Sequence, residues 1–292
     1  MDEKPQRGIV RVVTDSLADI PDELMASLKI GFVPLTVRFG VEQFKDRVEM
    51  SVREFFQRLR ATPQAQGIRT SQPAPGDFVS VFREAGASGA SVVSVQPSAK
   101  FSGTYQAACV ARDVLARQGY DIEVVDTSSA SMGQGWAAIE AARAALAGCG
   151  KAEILKRIAH VAGRVKVLIT LDTLDYVYRN GRIGRAAALL GTLLHIKPIL
   201  TVTAGELDAV EKVVGAERVI GRLVENFKRL LPGGARVKCA VMHADAAERA
   251  RELAAALGRA FKIDELITTE TGPALAANVG PGAYGAMMYE VG

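Results

Sequence analysis

Short β-branched and aliphatic runs recur along this chain. Most are followed by a polar loop and then by apolar residues at the three- and four-residue spacing of an amphipathic helix. GIVRVVTDS (8–16) reads as a strand ending in Thr14, Asp15 and Ser16, with a helix starting near Pro21 and Asp22. IGFVPLTVRFG (30–40) reads as two strands interrupted at Pro34, whose missing N–H favours a sheet edge or a bend. SVREFFQRLRA (51–61) spaces its apolar residues for one helix face, with Ser51 as N-cap and Glu54 completing a capping box. GIRTSQPAPGDFVSVFREA (67–85) reads as a proline-stiffened loop and a helix from about Gly76 and Asp77. ASVVSVQP (90–97) is a strand, and SAKFSGTYQAACVARDVL (98–115) a loop leading into an Ala-rich helix. DIEVVDTSSASMGQGWAAIEAARAALAG (121–148) repeats the order of strand, polar loop and helix.

That alternation is the signature of a parallel sheet with crossover helices. Three of its strands end in small hydroxyl residues: Thr14 and Ser16, Ser98 and Ser102, Thr127 to Ser131. In an open parallel sheet such carboxyl ends share the edge where ligands sit. Beyond residue 163 the pattern changes. A strand, a helix with a Gly-rich hinge, a strand from Ile196 and a hairpin at Ala204-Gly205-Glu206 follow in turn. A strand and helix occupy 235–258, and loop-separated strands, the last of them AYGAMMYEV, end the chain. The expected fold class is α/β in two domains: an N-terminal parallel-sheet α/β domain (1–163) and a C-terminal α+β domain with a mixed sheet (164–292).

Composition narrows the function. The 292 residues are 49% hydrophobic and carry 36 lysines and arginines against 32 acids. A net charge of +4 scattered along helices lacks the dense basic stripe of a nucleic-acid binder. Cys109, Cys149 and Cys239 are widely spaced and odd in number, so neither a disulfide framework nor a zinc site is expected. MDEKPQRGIVRVV lacks the order of a signal peptide. The longest apolar and small stretch, AAALLGTLLHI (186–196), falls far short of the roughly 20 residues that span a bilayer. A cytoplasmic protein in a reducing compartment is expected.

The motifs that could carry chemistry are few. No phosphate-loop pattern is present, and GCGKAE (148–153) follows no strand. Gly133, Gly135 and Ala138, and Gly280, Gly282 and Gly285, match the dinucleotide fingerprint only loosely, in the wrong strand–helix context. No G-x-S-x-G elbow exists, and His160, His195 and His243 lie far from any serine in sequence. Each is read as a structural histidine, with Asp245 the cap of the helix after His243. Ser102 stays open between nucleophile, helix cap and part of an anion cradle. The cradle reading joins Thr70, Ser71 and Gln72 before one helix to Ser102, Gly103 and Thr104 before another. Free N–H groups and the helix dipole at each start favour an anion.

Taken together, VTDSLADIP (13–21), TSQPAPGDF (70–78), FSGTYQAA (101–108), VVDTSSASMGQG (124–135), the block 171–200 and NVGPGAYG (278–285) resemble the DegV family of bacterial fatty-acid-binding proteins. The resemblance implies a long-chain fatty acid held between two α/β domains. Its carboxylate would be bound by hydroxyls of the TSQ and SGT blocks, here Thr70 and Ser102, with Ser71, the Gly103 backbone and Asn278 beside them. It also implies a lipid carrier with no catalytic residues, cofactor or metal, which presents the acid to a separate fatty acid kinase for phospholipid synthesis. A serine-dependent hydrolase or transferase acting on a small amphiphilic acid is the alternative. The family commonly carries a histidine where this chain has Asn278. Asparagine donates a hydrogen bond but never a positive charge, so weaker pH dependence or a changed head-group geometry is expected. Arg179, Arg182 and Arg185, with Lys197, read either as a solvated helix terminus or as a docking face for an acidic partner such as that kinase.

Overall fold

The structure is a computed structural model and describes residues 8–62, 67–191 and 196–291. Its first strand, β1 (Val10–Asp15), leads through a 3-10 turn into α1 (Asp22–Ser27) and β2 (Gly31–Val33). After Pro34 the chain leaves that sheet to form β3 (Thr36–Phe39) and β4 (Glu42–Lys45), then α2 (Val52–Ala61) and β5 (Ile68–Ser71). Next come α3 (Pro75–Ala85), β6 (Ser91–Gln96), α4 (Thr104–Ala116), β7 (Ile122–Asp126), α5 (Met132–Leu146) and α6 (Lys151–Ala162). The second half holds β8 (Lys166–Thr170), α7 (Asp175–Arg179), β9 (Ile196–Thr203), β10 (Glu206–Val214), α8 (Val219–Leu230) and β11 (Arg236–His243). The final elements are α9 (Ala247–Ala260), β12 (Lys262–Glu270), α10 (Pro273–Val279) and β13 (Tyr284–Glu290).

Three sheets result. A parallel sheet has the order β2-β1-β6-β7, with β2, the strand stopped by Pro34, at its edge. Side chains alternate across it: Val13, Val33 and Val92 pack on α3 and α4, and Val10, Val12, Val93 and Val95 face the other way, toward α5. A mixed sheet has the order β10-β9-β8-β13-β11-β12, antiparallel except for the β11–β12 pair. Leu168, Val241 and Ala286 on one face pack against α8 and α9, while Val167, Ile169, Met242 and Met287 on the other face look back at the first half. The tight β9–β10 link is a two-residue turn in which Ala204 and Gly205 both have positive φ (50° and 80°), the I′ geometry that matches strand twist.

Helix α5 lies between the two large sheets. Its residues Met132 to Ala142 are buried all round, and its polar members are paired, Gln134 with Thr14 and Asp15 and Glu140 with Lys238 and Arg143. Trp136, with no exposed surface, donates its indole N–H to the Met287 carbonyl at 3.1 Å and so ties the helix to β13.

Several sequence expectations are corrected. RTSQ is not all loop: β5 takes up Thr70 and Ser71 and pairs with β3 in a small antiparallel sheet, β4-β3-β5. The capping box at α2 is half formed. Ser51 Oγ accepts the Glu54 N–H at 3.2 Å, but the Glu54 carboxylate turns to Arg58. Asp245 does not cap α9. It pairs with Arg60, and the Ala246 N–H points to His243 Nδ1 at 3.4 Å. His195 lies outside the described residues.

Candidate ligand cavity

The inner face of the mixed sheet does not close fully on the first half, and a cavity of about 320 Å³ remains between them, of the size of small-ligand sites. Its floor is aliphatic: Val167 and Ile169 from β8, Met242 from β11 and Met287 from β13. Leu17, Leu35 and Ala130 from the first half and Leu275 and Val279 from α10 extend the apolar wall, and Phe101, Val177, Val202 and Leu207 complete it. Polar groups collect on the loops and strand ends around it: Thr70, Ser71 and Gln72, Ser102, Ser131, Asn278 and Arg182. The cavity is therefore amphiphilic, a greasy interior with hydroxyl and amide donors.

Each polar group has an identifiable support. Ser102 Oγ lies 2.7 Å from Thr104 Oγ1 and accepts the Thr104 N–H at 3.3 Å, so it steadies the start of α4 while keeping a face on the cavity. Asn278 Nδ2 donates to the Ala274 carbonyl at 2.8 Å and lies 3.4 Å from Thr70 Oγ1. A carbonyl can only accept, which fixes the orientation of the amide. Asn278 Oδ1 is then a buried acceptor with no partner among the described residues. Arg182 Nε donates to the Phe101 carbonyl at 3.1 Å and binds the Asn180 carbonyl as well, holding the 98–104 loop against the second half. Ser98 Oγ adds a 2.8 Å bond to the Gly205 carbonyl of the β9–β10 turn.

Of the residues expected to hold a head group, Thr70, Ser71, Ser102 and Asn278 meet at this one cavity. Gly103 sits one layer back: the Gln72 side-chain amide lies where a β-carbon on Gly103 would be. Among the arginines, Arg182 lines the cavity, whereas Arg179 and Arg185 do not. Arg185 faces Glu206 and Asp208 at 3.7 and 3.6 Å, and Lys197 binds Asp172. Among the described residues no histidine lies beside Ser102: His160 contacts Arg164, and His243 lies near Glu270. Burial lowers the His243 pKa and favours its neutral form. No group of three or more metal-ligating side chains occurs among the described residues.

Gln72, named in the cradle reading, does line the cavity, whereas sequence reasoning missed Arg182 as a lining group and the residues of the whole apolar wall. It also missed three buried carboxylates behind that wall. Asp15, Asp19 and Asp46 are each at most 1% exposed, and burial raises all three pKa values, to about 7 for Asp15 and Asp46. The sequence signal was there in the spacing of Asp15 and Asp19 around a buried turn, but nothing in it marked Asp46 as their neighbour.

A family model described as "Uncharacterised protein, DegV family" matches residues 9–291. A DegV domain-containing protein of Caldanaerobacter subterraneus subsp. tengcongensis is 34% identical over 281 residues, covering 96% of this chain and 99% of the relative. One of Deinococcus radiodurans is 34% identical over 278 residues, covering 94% and 96%. Among solved structures, a DegV family protein from Thermus thermophilus, described by its fatty acid binding, superposes with a TM-score of 0.91 at 31% identity over 98% of this chain and all (100%) of that one. DegV from Bacillus subtilis, described as a fatty acid binding protein, superposes at 0.87 with 27% identity over 97% and 100%.

Proposed function

The chain belongs to the DegV family, and from that premise we propose that it binds one long-chain fatty acid non-covalently in the cavity and presents its carboxyl group to a partner acyl kinase. The observation that carries the binding is the cavity itself: an aliphatic interior of about 320 Å³ with Thr70, Ser71, Ser102 and Asn278 together on its wall. The acyl chain lies against Val167, Ile169, Met242 and Met287, and each buried methylene contributes about 0.8 kcal/mol. Thr70 and Ser102 hydroxyls and the Gln72 amide supply donors to the carboxylate, which could not be buried without them. The division of the chain near residue 163 puts the ligand between the two halves, where loops from both reach it.

Denaturing extraction of the purified protein followed by mass spectrometry tests this reading. Close to one equivalent of a fatty acid is expected, and its absence from folded protein, with no uptake of added acid, overturns it. Ser102→Ala separates a carrier from a hydrolase. A carrier loses affinity by the worth of one hydrogen bond, about 0.5–1.5 kcal/mol, whereas an enzyme keeps its affinity and loses turnover by orders of magnitude.

A further inference from the structure

Behind the cavity wall, Asp15, Asp19 and Asp46 come together from the end of β1, the turn after it and the end of β4. Each is hydrogen-bonded to a lining residue, through its carboxyl group or its own backbone N–H. Asp15 Oδ1 accepts the Leu17 N–H at 2.7 Å, and Asp19 Oδ2 accepts Ser131 Oγ at 2.6 Å. The Asp46 N–H donates to the Leu35 carbonyl at 2.8 Å, and Leu35 in turn donates its N–H to Ser16 Oγ at 3.0 Å, beside the Asp46 carboxyl. Leu17, Leu35 and Ser131 all line the cavity. Asp19 also reaches the second half, accepting Thr271 Oγ1 at 2.6 Å and the Gly272 N–H at 2.9 Å.

The three acids do not share one electrostatic fate. Asp19 is surrounded by three donors and lies near Arg47, the cation of the cluster, which itself binds the Ile20 carbonyl and Asp22. Asp15 has the Leu17 N–H and the Gln134 amide. Neither oxygen of Asp46 has a well-formed hydrogen bond, only the Ser16 hydroxyl and the Ala274 N–H nearby, so a carboxylate there is poorly repaid for its lost hydration. Like charges in one buried site oppose each other's ionisation. Gln134 and Ser131 face the cluster from α5 and its approach, Thr269 and Thr271 from the end of β12, and Ala274 from α10, none of them ionisable.

We propose that Asp15, Asp19 and Asp46 are positioning residues for the ligand cavity, with Asp15 and Asp46 acting in their protonated form, so that ligand binding is coupled to proton retention behind the wall. Losing one of these protons adds a buried carboxylate beside Arg47, which already pairs with Asp22, and loosens the segments that carry Leu17, Leu35 and Ser131. The coupling rests on the fatty-acid reading above, but its sensor is distinct from the head-group site.

The test is a titration with cis-parinaric acid at pH values from about 6 to about 9, on the full chain and on Asp46→Asn, which mimics the protonated acid. The wild-type affinity is expected to fall above pH about 7, approaching tenfold per pH unit for one linked proton. The variant profile should be flatter, and both proteins share whatever titration the probe itself contributes. Asp15→Asn serves the same purpose if Asp46→Asn does not fold. Superimposable profiles, with binding intact, overturn the coupling and leave the carrier reading standing. Failure of the probe to bind at any pH overturns the carrier reading, and the coupling with it.

Discussion

The side-chain amide of Asn278 on α10 lies 3.4 Å from Thr70 Oγ1 on β5, joining residues 208 positions apart at the polar part of the cavity. Because its other bond, to the Ala274 carbonyl, fixes the amide, Asn278 presents Nδ2 toward Thr70 and aligns that hydroxyl. Asn278→Ala is expected to weaken fatty acid binding about 3- to 10-fold, the equivalent of one neutral hydrogen bond. Asn278→His should add a titration near the ordinary histidine value of about 6.5 that wild type lacks at this position. Fluorescence titration at several pH values reads both effects, and an unchanged Kd in the alanine variant would remove Asn278 from the site.

Two glycines near the cavity have opposite expected tolerances. A β-carbon on Gly103 meets the end of the Gln72 side chain, which is exposed and can swing outward. Gly103→Ala should therefore cost less than about 1 kcal/mol in stability yet speed ligand release, since Gln72 leaves its place on the cavity. Gly280 has φ +76° and a would-be β-carbon 2.6 Å from Tyr176 Cε2, with the ring held between α7 and the GPG turn. Gly280→Ala should lose about 2–4 kcal/mol by combining backbone strain with overpacking. Urea unfolding and ligand off-rates distinguish the two, and equal losses of stability would show that Gln72 cannot move.

How much of this was legible in the sequence follows from how local each feature is. The βα units of the first half could be read because each strand, loop and helix signal sits within one short stretch, and Pro34 correctly marked where β2 ends at a sheet edge. The I′ turn at Ala204 and Gly205 was equally local. β5 was not legible: Arg69, Thr70 and Ser71 carry no apolar alternation, and the strand exists because β3, some thirty positions away, pairs with it. The apolar wall was invisible for the same reason. Val167, Met242 and Met287 each read as ordinary strand residues, and only the register of β8, β13 and β11 puts them side by side. Thr70, Ser71, Ser102 and Asn278, proposed for the head group, came from motif blocks and line one cavity, while Arg182, read as a docking residue, is in the structure a lining residue bonded to Phe101.

The partner-docking reading makes a prediction at Arg179, which is exposed and does not line the cavity. If the face formed by α7 and the following turn meets an acidic kinase, Arg179→Glu should keep bound fatty acid at wild-type stoichiometry. It should slow acyl-phosphate formation about 10-fold or more, with the defect growing smaller at high salt as screening weakens the repulsion. Kinase assays on loaded protein measure this directly. A normal rate would move the docking surface elsewhere.

The buried acids give the unliganded protein an unusual pH profile. Burial raises Asp15 and Asp46 from 3.8 to about 7, so each is protonated in the folded state where the unfolded chain is ionised. Their contribution to stability is full below pH 3.8, is lost as pH rises toward about 7, and is level above that. Each group changes stability by about 1.4 kcal/mol per pH unit inside that window. Glu140 and Glu265, whose pKa values Lys238 and Arg143 lower, act in the other sense: their stabilisation is present above the unfolded value and is lost as pH falls through the folded one. His243, lowered by burial, likewise loses stability on protonation below 6.5. Comparing Asp46→Asn with wild type cancels these other groups. The variant should gain on wild type steadily from about pH 4 to about pH 7 in urea unfolding, and the difference should then stay constant. A difference independent of pH would mean that Asp46 is ionised in the folded protein and that its hydrogen-bond-poor site is stabilised in some other way.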